Sequence, residues 1–314
     1  MTAVLDNKRA GKAKAGRPQV NDRDKTATRL LGSSAKNSFD PALDIDWDAE
    51  PVEGLWHMQP ERMSLYGTAL WDSLSEQQRI ELSKHEVLSI ARVGLWFEVL
   101  LMGMLAAHAY DQDPASPHTQ YALTEIGDET RHSVMFARWA DKFGGSDYKV
   151  HPVVHTLGKV FRLVAPTGPS MWAGTLVAEE LLDRLQRDAM SDDRIQPMTR
   201  MVSRIHVIEE ARHVRFAREE LVREMATAHW GPKRYFHRVL AAAAAGFIVR
   251  GLISPKVYAS VGLDAKAARK AALANPNYRD TARWMGEKII PFLEDVGMTN
   301  RTARAIYRRA NLMA

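Results

Sequence analysis

His206-Val207-Ile208-Glu209-Glu210-Ala211-Arg212-His213 is the stretch on which the reading of this chain turns. On an ideal helix, positions four and seven residues after His206 are rotated from it by about 40° and −20°. His206, Glu210 and His213 therefore line one face, while Arg204, Glu209 and Arg212 fall largely on others. Asp128-Glu129-Thr130-Arg131-His132 carries the same Glu-x-x-His spacing. That spacing puts both side chains on one helix face, within reach of a single ion. Either pair alone would pass for a solvated face. Two such pairs on separate long helices, with single glutamates on two others, form the ligand set of ferritin-like di-metal bundles.

The single glutamates can be sought in the same way. Glu98 lies in Leu95-Trp96-Phe97-Glu98-Val99-Leu100-Leu101-Met102. A carboxylate in so apolar a run is costly to bury unless it binds something; otherwise it marks a narrow polar stripe. The other is Glu179 or Glu180, and the bare pattern does not choose between them.

Working outward, the periodicity predicts helices almost throughout. They are expected at about 60–74, 76–110 with a break near Ser83, 117–143, 152–164, 170–190, 196–228 and 233–253, followed by three or four shorter ones over 255–313. Ser75 and Ser116-Pro117 read as helix starts, and Gly144-Gly145 as a stop. No strand is expected. The fold class is all-α: a ferritin-like four-helix bundle with core about 76–228 and additional C-terminal helices. Residues 46–314 are expected to form one domain.

Residues 1–45 read as a disordered basic extension. Residues 1–36 hold nine Lys/Arg and three Asp, whereas the whole chain is only +5. The remainder is thus close to neutral, which argues against a nucleic-acid-binding body. Cysteine is absent, which excludes disulfides, thiolate zinc sites, cysteine-ligated iron–sulfur clusters and cysteine nucleophiles. A tightly held metal must then use His, Asp and Glu, a set suited to Fe, Mn or a carboxylate-rich Zn site. The best membrane-span candidate, Val239–Val249, is about half the ~20 apolar residues required, so stable membrane insertion is not expected. No secretory signal is visible, and a cytoplasmic protein is expected. No nicotinamide or flavin fingerprint is present, so electrons would come from an external donor or from the substrate.

With these residues in place, the chain resembles the p-aminobenzoate N-oxygenase family of non-haem di-iron oxygenases. The family's order is Glu, Glu-x-x-His, Glu, His-x-x-x-Glu-x-x-His. Glu98, Glu129 with His132, Glu179, then His206, Glu210 and His213 meet it over about residues 60–300. The spacing to His206 favours Glu179 over Glu180, and the gap from Glu98 to Glu129 is a few residues shorter than in the arylamine oxygenases.

The resemblance implies two Fe ions per chain, with Mn possible, and O2 as co-substrate. One ion would be held by Glu98, Glu129, His132 and Glu210. The other would be held by Glu129, Glu179, His206, Glu210 and His213, with Glu129 and Glu210 bridging as the catalytic carboxylates. It further implies oxygenation of an arylamine nitrogen, through hydroxylamine toward nitroso and nitro products. Asp183 is a candidate to orient a ligand histidine, and Arg279 and Arg283 are candidates to anchor a substrate carboxylate. Leu95, Met102, Val177 and Val202 could line the pocket, and Trp96 and Phe97 a tunnel. A small-molecule substrate and a homodimer are expected. Two other functions share the ligand pattern: a hydroxylase or desaturase acting on carbon, and a non-catalytic metal-binding bundle. The residues after the last ligand helix argue against the second.

Overall fold

The computed structural model describes residues 19–145, 148–227, 231 and 233–314. Among these residues the chain is α-helical without a named strand; one isolated bridge joins Trp56 and Ile195. In order the helices are α1 (Arg23–Lys36), α2 (Pro41–Asp44), α3 (Ala69–Asp72), α4 (Glu76–Tyr110), α5 (Pro117–Lys142), α6 (Pro152–Val164), α7 (Pro169–Ala189), α8 (Pro197–Thr227), α9 (Lys233–Gly251), α10 (Lys256–Ala259), α11 (Ala265–Ala274), α12 (Pro276–Gly286), α13 (Ile289–Asp295) and α14 (Arg301–Arg309).

Helices α4, α5, α7 and α8 form the bundle, packed chiefly as the pairs α4–α5 and α7–α8. Side-chain contacts set their directions. His108 meets His118 and Thr130 meets Met102, so α4 and α5 run antiparallel. Gln186 meets His206 and Glu180 meets Arg218, so α7 and α8 do too. The helix starts follow local chemistry. The Ser75 hydroxyl accepts from Gln78 N at 3.2 Å, and the Gln78 side chain accepts from Ser75 N at 3.0 Å, a reciprocal cap on two otherwise unpaired donors. Ser116 caps α5 with Pro117 at its first position, and Gly144, at φ +76°, stops it, a backbone conformation that glycine adopts without strain.

The structure departs from the sequence reading at four places, one being the C-terminal part, where five short helices, α10 to α14, stand in place of three or four. No single helix covers 60–74: a 3₁₀ turn, Pro60–Arg62, and the short α3 replace it. Helix α4 is unbroken at Ser83, whose hydroxyl bonds to Ile80 O at 2.6 Å and accepts from His57 N at 3.0 Å. The expected extension 1–45 falls partly on residues 1–18, outside the described residues, but from Arg23 onward it is structured. Helix α1 packs on α5 and α8. Arg23 pairs with buried Glu220 at 2.7 Å, and Thr26 donates to Glu219 at 2.7 Å. The tertiary partners lie far along the chain, which is why local composition did not reveal this helix.

Glu76–Tyr110 and Lys233–Ala259 are long and apolar enough by composition to cross a membrane, more so than Val239–Val249 alone. The first is a bundle helix that buries Glu86 and Glu98; the second includes α9, which packs on α7 and α14.

Ser64 ties the C-terminal helices to the bundle. Its backbone N–H donates to Glu86 at 3.0 Å and its hydroxyl contacts the same carboxyl group and Tyr258 Oη, while Asn275 donates to its carbonyl at 2.9 Å. Burial pushes the Glu86 carboxyl up to about 7, against the hydrogen bonds from Ser64. A carboxyl raised in the native state keeps its proton while the unfolded chain loses it, so stability falls as pH rises from about 4.5 to 7. The slope approaches about 1.4 kcal/mol per pH unit inside that window. Glu86→Gln should flatten this part of the profile, measured as the difference in urea-unfolding free energy between pH 4.5 and 7.5. An unchanged slope would place the titration elsewhere.

Candidate metal centre

The bundle brings Glu98 from α4, Glu129 and His132 from α5, Glu179 from α7, and His206, Glu210 and His213 from α8 into one buried cluster; none is more than 2 % exposed. Glu129, His132, Glu210 and His213 present donor atoms within 4.8 Å of one another, and so do Glu98, Glu179 and His206. Glu180 points elsewhere, taking Arg218 Nε at 2.8 Å. The resemblance placed Glu98 with His132, and His206 with His213. The structure groups the donors differently, with His206 Nε2 3.5 Å from Glu98 Oε1.

Each histidine turns one ring nitrogen inward and has the other held. His132 Nδ1 lies 3.1 Å from Glu129, and its Nε2 meets Glu209 at 2.8 Å. His213 Nδ1 lies 2.9 Å from Glu210, and its Nε2 meets Asp128 at 3.1 Å. His206 Nε2 faces Glu98 and Glu210, and its Nδ1 meets Gln186 Oε1 at 2.6 Å. Such outer partners fix ring orientation and raise ligand basicity.

Asp183 does not take this role: it binds Arg187 at 2.7 Å, and Gln186, almost a turn further along α7, holds His206 instead. The holding acids Asp128 and Glu209 each directly precede a Glu-x-x-His glutamate, and each serves the histidine of the other helix. The repeated acid was visible in the sequence; the crossing needed the fold. Arg212 bridges the two acids at 3.4 and 3.6 Å and also donates to Asn37 O at 3.1 Å. Arg131 contacts Asp128, and Phe39 N donates to Glu209 at 3.1 Å. The segment after α1 therefore closes the outer layer of the site.

Burial works to raise Glu129, yet His213 and His132 hold it well below the usual carboxylate range. Burial works to raise Asp128 and Glu209, yet both are held below the usual carboxylate range, Asp128 by His213 and the arginines and Glu209 by His132. Glu98 is pushed well up by burial and then by Glu129, Glu179 and Glu210; Glu179 by burial and then Glu210 and Glu129. His132 is raised to about 9: burial opposes this, and its bonds to Glu129 and Glu209 overcome it. Burial lowers His206 to about 4.

Arg131 and Arg212 balance Asp128 and Glu209. Among the described residues no Lys or Arg reaches the four inner glutamates; without metal, His132 and His213 are the cations beside Glu129 and Glu210, and with neutral histidines four ionised carboxylates match the charge of two divalent ions. Glu98 Oε2, Glu179 Oε1, Glu210 Oε2 and His206 Nε2 are buried without a hydrogen-bond partner, as atoms reserved for coordination would be. The residues thus fit a metal pair with nitrogen and carboxylate ligands.

A cavity of about 60 Å³ opens beside Glu98 and His206. Of the expected pocket residues only Val202 lines it; Trp96 and Phe97 line a separate apolar cavity between α4, α6, α7 and α9. Arg279 and Arg283 stand away from it: the first donates to Leu273 O at 3.1 Å, and the second pairs with Asp280.

Fold and donor set together define a ferritin-like di-metal carboxylate bundle. The family model described as P-aminobenzoate N-oxygenase AurF matches residues 20–297, and the chain belongs to this family of di-iron enzymes. The match begins well before Pro60 and takes in α1. The chain is also similar to uncharacterized proteins of Mycobacterium tuberculosis (Rv0885) and Mycobacterium bovis (Mb0909), at 28% identity over 199 residues. That similarity covers 61% of this chain and 58% of each relative's length.

If Glu209 and Gln186 act by holding ligand histidines, Glu209→Gln and Gln186→Leu should each weaken Fe(II) or Mn(II) binding by roughly 10–100-fold. Glu180→Gln should leave it unchanged. Metal titration followed by calorimetry reads this; equal affinities in all three variants would contradict it.

Proposed function

We propose that the chain is a di-iron oxygenase that N-oxygenates an aromatic amine. The observation that carries this reading is the buried seven-residue donor set, with the extra His206, in a member of the N-oxygenase family. Glu98, Glu129, His132, Glu179, His206, Glu210 and His213 would hold two Fe ions, and Mn could occupy the same ligands. Bound there, the metals would supply the reduction of O2 and the transfer of one of its oxygen atoms to nitrogen.

The remaining tasks fall to the protein. Glu129 and Glu210 each lie within 3.6 Å of the ring nitrogens of both His132 and His213, and they would be the carboxylates shared by the two ions, as the family resemblance implies. Glu209, Asp128 and Gln186 keep the histidines oriented. The apolar walls of the cavity exclude water and leave an amine to approach from the side of Glu98 and His206. In the first oxygenation one oxygen atom of O2 enters an N–H bond, and the other leaves as water with two electrons and two protons. An external donor is the proposed source of those electrons. The protein is proposed to be cytoplasmic, dimeric and without stable membrane insertion.

Apolar walls that run along α4 beside the site also suit oxidation at carbon, and this favours a hydroxylase or desaturase as the second reading. The two separate by product. Iron-loaded protein given a reductant, O2 and a panel of aryl amines should yield hydroxylamine, nitroso or nitro products carrying oxygen from ¹⁸O2. Glu129→Ala and His213→Ala should abolish them. Metal-dependent O2 uptake with oxygen or unsaturation appearing only on carbon would replace the first reading with the second.

A further inference from the structure

The cavity beside Glu98 and His206 says more about the substrate than the ligands do. Its wall on α4 runs from Glu98 through Gly94 and Ile90 to Val87, about 16 Å of helix rise. His57, whose backbone N–H donates to Ser83 of α4 at 3.0 Å on the Val87 side, and Gln59 also line it. Among the described residues no Lys or Arg lines it, and its only carboxylate is Glu98. His57 could in principle supply a positive charge, but burial, with Lys84 nearby, lowers it to about 4. An ionised group moved from water into such a space would lose its hydration and meet no countercharge, with a cluster of carboxylates at one end. The space itself is provided by a residue choice. Gly94 sits inside α4 one turn before Glu98, where a Cβ would meet only Leu182, at 3.8 Å. Alanine would be the better helix former at that position, so the glycine leaves volume rather than relieving a clash.

Resting on the N-oxygenase reading, we propose that this member takes an uncharged aromatic amine, one without a carboxylate, seated between Glu98 and His57. The cation that an aminobenzoate would need is missing from the wall that would have to provide it.

The test compares two ligands of nearly the same shape, p-aminobenzoate and 4-aminobenzamide, on the metal-loaded full chain. Binding is measured by titration calorimetry at pH 7, with products followed separately. The amide should bind roughly tenfold or more tightly than the carboxylate, since an unpaired buried charge is the larger penalty. Gly94→Leu should lose amide binding while retaining metal content and thermal midpoint. Equal or tighter binding of p-aminobenzoate overturns the inference and leaves the N-oxygenase reading standing. Failure of both ligands to bind overturns it as well. Preferential binding of the amide that Gly94→Leu abolishes, without any N-oxidised product, upholds the assignment of the cavity and removes the N-oxygenase reading instead.

Discussion

Four glutamates from four different helices share one buried site, and their mutual repulsion is the constraint on which the rest depends. Carboxylates in a low-dielectric interior do not stay ionised together without countercharge. The chain places two arginines within reach, but these are engaged by Asp128 and Glu209 in the layer behind. Among the described residues the inner four meet only His132 and His213 as cations from the chain, too few for four carboxylates. Burial of this kind lowers the stability of the protein alone and concentrates affinity for divalent metal at one place.

The scaffold makes that concentration possible. Antiparallel α5 and α8 present their Glu-x-x-His faces to each other, and the acid before each glutamate reaches across to the opposite histidine. Removing either helix would take away candidate donors and also the acid that holds a histidine of the other. The segment after α1 adds a lid of backbone contacts: Asn37 O engages Arg212, and Phe39 N engages Glu209. The site is therefore a tertiary product of four helices and the segment after α1.

Much of this was legible in the sequence, because helical periodicity and the i, i+3, i+4 and i+7 offsets are local properties. The long helices, their caps at Ser75 and Ser116 and the seven inner donors could all be read from spacing and family resemblance. What could not be read was whatever depends on crossing elements. Gln186 rather than Asp183 meets His206 because of the rotation of α7 against α8, which spacing along one helix does not give. Helix α1 was hidden because its sequence is polar and its stabilising partners, Glu219 and Glu220, are nearly two hundred residues away. The 60–74 segment had helical composition, but contacts to α4 and to the C-terminal helices through Ser64 hold it as turns instead.

The central claim is that the buried glutamates exist to hold two divalent ions. Crystals soaked anaerobically in Fe(II) and measured on either side of the iron absorption edge test it most directly. Two anomalous peaks per chain, both among Glu98, Glu129, His132, Glu179, His206, Glu210 and His213, are predicted, with Glu129 and Glu210 reaching both. No peak there, or iron bound only at His108, His118 and Glu220, the other buried group of metal-ligand type among the described residues, would contradict it.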